Sequence, residues 1–340
     1  MDKHIYELPW PDIRMSCSAS KEHVIMSGPD ISPVSIPAAS STSNDWYHPD
    51  FCSPLADFIV CSFDGIRFKC HKLFLQEASP VFRTMLTLPQ PHSSSQLSVV
   101  EDCAARPPSI DLPESGKVLE ILLKLIYPMN QPFIDTIFTL SQTLTAAEKY
   151  DMVGVISSLR LYLRDDKFLS TCPLHIYALA CRFSFAQEVK LASKNSLTHD
   201  IHDPNLISVF QATGLKATDL FALMNLHHRR VNGMREFLEG DRFEGNAPDF
   251  TCVACDKKLN DITWPFLKAS ILKEMYRRPL GDTLFGPEFL RSSAIHSFIN
   301  CKCDECNERV IYEKGKTLAM ISEFLKSLPD SVELSIDASC

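Results

Sequence analysis

Glycine is scarce in this sequence, with 11 in 340 residues. The chain has no G-x-G-x-x-G, no G-x-x-x-x-G-K-[ST] and no G-x-S-x-G, and H-E-x-x-H is missing as well. Phosphate-cradling loops and nucleophile elbows need those glycines because the backbone must approach a ligand closely or turn sharply. The common nucleotide-dependent and hydrolytic classes therefore lose their signatures. Long apolar runs are also lacking: none approaches the roughly 18 residues a bilayer requires, and the first residues carry no signal-peptide apolar stretch. Positive charge is in deficit, 34 Lys and Arg against 42 Asp and Glu, for a net charge of −8. That balance argues against a protein that coats phosphate backbones. Cysteine, at 13, falls well short of the density of a secreted disulfide scaffold, and the odd count does not pair. The expectation is an intracellular chain with reduced thiols, in the cytoplasm and/or nucleus, with no membrane segment. Its length suits about two domains.

Composition changes along the chain. Residues 1–50 hold 9 Ser and 6 Pro, with apolar residues scattered without period, which predicts a disordered tail over 1–52. From residue 53 the pattern is that of a folded domain. Residues 54–63 (PLADFIVCSF) and 66–70 (IRFKC) flank Asp64-Gly65, which predicts a hairpin with a type I′ turn. The second strand alternates, with Ile66, Phe68 and Cys70 on one face and Arg67, Lys69 and His71 on the other. A short helix follows over Lys72 to Ala78. Ser79-Pro80 then opens another, by side-chain capping and a proline at its first position. Leu88 to Arg106 reads as a Ser/Pro-rich insertion, Ser109 to Leu112 as a third strand, and Val118 to Tyr127 as an apolar helix stopped by Pro128. Phe138 to Tyr150 and Met152 to Leu163 continue as helices. Beyond Thr171 every periodic segment is helical.

Asp57-Phe58-Ile59-Val60, Asp64-Gly65, Phe68-Lys69-Cys70-His71-Lys72 and Ala78-Ser79-Pro80-Val81-Phe82, followed by Ile110-Asp111-Leu112-Pro113 and Ala146 to Met152, resemble a BTB/POZ domain over residues 53–165. The phrase Met85 to Pro91 and its long insertion are most like fungal BTB proteins. The resemblance implies an α+β fold, a small sheet flanked by helices, with an all-α C-terminal half behind it. It also implies a non-catalytic module that forms homodimers or docks cullin-type ubiquitin-ligase scaffolds and co-repressors. By resemblance, Asp57 and Lys72 match a charged pair lining the dimer groove, while His71, Ser79 and Phe82 match core positions. A carboxylate in an apolar strand needs a cation or donors, and Lys72 is near; alternatively Asp57 caps a turn and Lys72 is solvated. His71 reads as a packed, hydrogen-bonded residue. Cullin-binding members carry an apolar-x-Glu element ahead of the third strand, and here Val99-Val100-Glu101, inside the insertion, is the only fit.

Residues 166–242 resemble the helical extension that follows many BTB domains. Within it, His227-His228-Arg229-Arg230 reads as a solvated helix face. Residues 243–328 form a helical module with two cysteine clusters, Cys252-x2-Cys255 and Cys301-x-Cys303-x2-Cys306, and 329–340 a tail. Two Cys-x2-Cys knuckles present four thiolates, the number that tetrahedral Zn²⁺ takes, with Cys301 as a spare. The 45 intervening residues exceed those of a compact zinc ribbon, so structural zinc, unrelated thiols and a redox pair all remain open. Residues 241–315 carry 11 Lys/Arg against 12 Asp/Glu, a poor balance for a module reading nucleic acid. Trp264, Phe266, Leu267, Ile271, Leu272 and Met275 repeat at helical spacing and read as core. The expected function is BTB-mediated dimerisation and partner recruitment, as in a cullin-type adaptor. The alternative is a transcriptional regulator with a zinc-stapled C-terminal module.

Overall fold

The computed structural model describes residues 46–88, 107–203, 214–240, 255–257, 263–300, 302–303, 305–307 and 314–333. Strands β1 (Phe58–Cys61), β2 (Arg67–Cys70) and β3 (Ser109–Asp111) form one sheet in the order β2-β1-β3. β1 pairs antiparallel with β2, setting Val60 opposite Phe68, and parallel with β3, setting Val60 opposite Ile110. The alternation in β2 is as expected: Phe68 and Cys70 are fully buried, and Arg67 and Lys69 are not. Folded structure begins before residue 53. Tyr47 bridges Arg67, the Lys69 N–H donates to the Phe51 carbonyl at 2.9 Å, and Phe51 is buried. Residues 46–52, assigned to the tail by composition, therefore line the sheet edge.

The hairpin is not the two-residue type. Gly65 alone in the turn has positive φ (+83°), and the Gly65 N–H donates to the Ser62 carbonyl at 3.0 Å. Asp64 keeps negative φ, whereas a type I′ turn needs both central residues left-handed. Its carboxylate is used instead, accepting from Ser62 Oγ at 2.5 Å and from the Gly116 N–H at 2.8 Å. That bond pins the start of helix α3 (Gly116–Ile126) to the turn. A Cβ on Gly116 would meet Ile66 Cδ1 at 2.4 Å, so a side chain there would require the end of the Ile66 side chain to move.

Helices α1 (Lys72–Ala78), α2 (Pro80–Thr87), α3 (Gly116–Ile126), α4 (Ile137–Lys149) and α5 (Val153–Tyr162) complete the first layer against the sheet. Of the stripe that helical spacing predicts over Met152, Val155, Ile156, Leu159 and Leu163, all are buried except Ile156, which is half-buried against the same core. Among the described residues there follow α6 (Asp166–Thr171), α7 (Pro173–Arg182), α8 (Ala186–Ser196) and the long α9 (Ala217–Glu239). The hydroxyl of the buried Tyr177 on α7 donates to the Asp219 carbonyl at 2.7 Å, holding the start of α9. Then come α10 (Thr263–Arg277), a 3₁₀ turn (Asp282–Phe285), α11 (Pro287–Leu290), α12 (Ser293–Ile299) and α13 (Lys314–Ser327). No helix among the described residues is long and apolar enough to cross a membrane.

Two cores result, and α9 belongs to both. Its Leu223 and Leu226 join the core that runs from the sheet through α8. Its Val231, Met234 and Leu238 join a second core with Trp264, Leu267, Ile271 and Met275 of α10, Phe298 of α12 and Ile321 of α13. Among the described residues, the helices of the extension share the cores of their neighbours. Residues 329–333, expected in a tail, return to the first core: Val332 is buried and its N–H donates to Ser193 Oγ at 2.9 Å. Phe266, expected in the core, is 50% exposed, because it lies on the opposite side of α10 from Trp264 and Leu267.

Candidate functional site

The charged pair implied by the sequence resemblance sits at the start of α1. Asp57 precedes β1 and is exposed, so its carboxylate is not a buried charge in search of a cation. It accepts the Lys72 backbone N–H at 2.8 Å, capping α1 from 15 residues upstream. No ion pair joins the Asp57 and Lys72 side chains; the Lys72 ammonium lies 5.8 Å from the Phe58 ring centroid, a cation–π contact. Around these two residues Leu55 is 82% and Leu73 65% exposed. Both are exposed apolar side chains close in sequence to the two charged residues, Leu55 two positions before Asp57 and Leu73 next to Lys72.

His71 precedes α1, and its N–H donates to the Tyr127 hydroxyl at 2.7 Å, with Nδ1 3.2 Å from the same oxygen. Ser79 is fully buried and bridges two elements. Its Oγ accepts the Phe82 N–H at 3.0 Å and donates to the Tyr150 carbonyl at 2.5 Å. Phe82 stacks on the Tyr150 ring with centroids 4.8 Å apart, and the Tyr150 hydroxyl donates to Glu114 at 2.5 Å. These three residues are architecture, packed inside the domain. Ser79→Ala removes a cap and orphans a buried carbonyl, so urea unfolding will show a loss of about 1–3 kcal/mol.

His227 to Arg230 contradict the expectation of a solvated face. His228 and Arg229 are exposed, but His227 and Arg230 are buried at the seam between the two cores. The Arg230 guanidinium donates to the carbonyls of Pro279 (2.7 Å), Pro329 (2.9 Å), Leu280 (3.2 Å), Leu328 (3.4 Å) and Leu325 (3.5 Å). His227 Nε2 lies 3.0 Å from Ser196 Oγ, and burial pushes this imidazole down to about 4. Neither group is available to a polyanion.

A third cluster is built from cysteine. Cys255, Cys303 and Cys306 bring their sulfurs within 4.8 Å of one another, and Cys255 Sγ lies 3.7 Å from Cys303 Sγ. Cys252 and Cys301, the other expected ligands, lie outside the described residues. Trp264 and Phe298, with ring centroids 5.4 Å apart, hold α10 against α12 and so bring together the segments that carry the cysteines. Lys257 and Glu305 add an exposed ion pair across them at 2.5 Å. Backbone N–H groups of Cys306 and Glu305 point at the Cys303 sulfur and draw its thiol down to about 7. Burial moves Cys70 and Cys181 the other way, up to about 12. His48, Asp50 and Glu120 also converge, but there the Lys124 ammonium, 2.9 Å from Asp50 and 2.7 Å from Glu120, already supplies the cation.

The chain has no match among curated proteins. Residues 52–167 match the BTB/POZ domain family. With the three-stranded sheet and its helices, this part of the chain is a BTB/POZ domain, a protein–protein interaction module of a generally non-enzymatic kind, followed by a helical C-terminal half.

Proposed function

We propose that the protein is a non-catalytic interaction subunit that forms a homodimer through the face around Leu55, Asp57, Lys72 and Leu73. The observation that carries this reading is the pair of exposed leucines, 82% and 65% accessible, beside the two charged residues that resemble the family's groove pair. Apolar side chains this exposed on a folded face gain by association, each burying surface worth about 1.5–3 kcal/mol when fully covered. In this reading each protomer carries its helical C-terminal half as the client-binding arm, and the dimer recruits a scaffold of the cullin or co-repressor kind. The charge balance leaves nucleic acid out of the role.

Leu73→Asp places a like charge beside Asp57 and its copy in the partner. Sedimentation of the full chain at tens of micromolar will show a dimer for the unmodified protein and a monomer for Leu73→Asp, with unchanged circular dichroism. A monomer in both samples sinks the dimer reading and leaves a heteromeric partner as the occupant of that face.

A further inference from the structure

We infer that Cys255, Cys303 and Cys306 bind one Zn²⁺ as thiolate ligands, a structural site that closes the C-terminal helical module. Two features of the chain support this.

The first is sulfur geometry. A tetrahedral Zn²⁺ with bonds of about 2.3 Å sets neighbouring sulfurs roughly 3.8 Å apart. The Cys255 and Cys303 sulfurs are 3.7 Å apart, and all three lie within 4.8 Å. A disulfide needs about 2.05 Å, so this is the spacing of two ligands and not of a bond.

The second is backbone shape. Among the described residues only four other than glycine have positive φ, and two of them follow a cysteine of this cluster: Asp256 (+53°) after Cys255 and Asn307 (+57°) after Cys306. Asp and Asn are the residues besides glycine that best tolerate left-handed backbone, and its recurrence at both positions marks a repeated turn, held once by the Asn307 N–H donating to the Cys303 carbonyl at 2.9 Å. The sequence repeats with it, Cys-x2-Cys-Asp and Cys-x2-Cys-Asn.

Each ligating thiol releases its proton to solvent when the metal enters. Cys303 is 2% exposed, while Cys255 and Cys306 are partly accessible; Cys255 belongs to the segment before α10 and the other two to the segment after α12, so a shared ion would tie the two segments together.

The test is metal titration of the reduced, metal-free full chain. Co²⁺ will bind at one equivalent and give an intense thiolate-to-metal charge-transfer band with the visible absorption of a tetrahedral site, and one equivalent of Zn²⁺ will abolish both. Cys303→Ser and Cys306→Ser will each weaken binding at least tenfold, while the exposed Cys52→Ser binds as the parent does. The Co²⁺ spectrum of the parent chain stands even where a variant fails to fold. Absence of the charge-transfer band overturns the inference. So does a metal-free purified chain in which peptide mapping finds a Cys255–Cys303 disulfide, or a Cys303→Ser variant that keeps full affinity.

Discussion

Arg230→Met will destabilise the chain by about 3 kcal/mol or more and will separate the melting of the two cores. Arg230 is 2% exposed and donates to five carbonyls contributed by three places: the loop after α10, the last turn of α13 and the residues beyond it. The last carbonyls of a helix carry partial negative charge and no internal partner, so a guanidinium there satisfies both hydrogen bonding and the dipole. Methionine fills much of the volume but leaves several buried acceptors orphaned, at about 1–3 kcal/mol each where water cannot enter. Arg230→Lys keeps the charge but not the planar fork, so it will recover only part of the loss. Hydrogen exchange will locate the effect: in Arg230→Met, amides of α10, α12 and α13 will lose protection while those of β1 and α7 keep theirs. A lysine variant as stable as the parent would show that charge alone matters and that the fork does not.

The second large effect concerns the joint between the BTB domain and its extension. Glu188 on α8 is fully buried, and its carboxylate accepts Arg160 at 2.8 and 2.7 Å and Arg164 at 2.6 Å. The arginines lie on and just after α5 and are 35% and 39% exposed. The three members are therefore not equivalent. Removing Glu188 leaves two cations that can turn to water, whereas removing both arginines strands a buried carboxylate. Arg160→Ala with Arg164→Ala will cost about 3–5 kcal/mol, and Glu188→Gln clearly less, by urea denaturation at pH 7. Equal losses would mean that packing, not charge, dominates the joint.

The same groups set an acid limit. Burial opposes ionisation of Glu188, but the two arginines outweigh it and hold the carboxyl below its ordinary range. Its contribution is present above the unfolded value and is lost as pH falls through the folded one. His227 acts earlier. Its imidazole is depressed from 6.5 to about 4, so the unfolded chain takes up the proton first and stability declines from about pH 6.5 towards 4. Thermal melts across that window will show the decline. It should shrink in a His227→Gln variant that folds.

What could be read from the sequence was local. Ser79-Pro80 separates α1 from α2 because a cap and a helix-opening proline act within three residues, and the alternation of Phe68 and Cys70 declares its own buried face. The failures involve distant partners. Asp64-Gly65 looked like a type I′ turn because nothing nearby shows that Asp64 must hold the Gly116 N–H, 52 residues away. His227 to Arg230 looked solvated because the acceptors of Arg230 are carbonyls 49 to 99 residues away, and carbonyls leave no trace in side-chain composition. Asp57 looked buried by the company of Phe58, Ile59 and Val60, yet it stands one residue outside the strand. The cysteine spacing pointed to two clusters, but their convergence depends on α10 packing against α12.

Native mass spectrometry of the full chain under reducing conditions tests the central claim most directly. The account predicts a species of twice 38.3 kDa at micromolar concentration, converted to the single mass by Leu73→Asp. A single-mass species for the unmodified chain at tens of micromolar would contradict it.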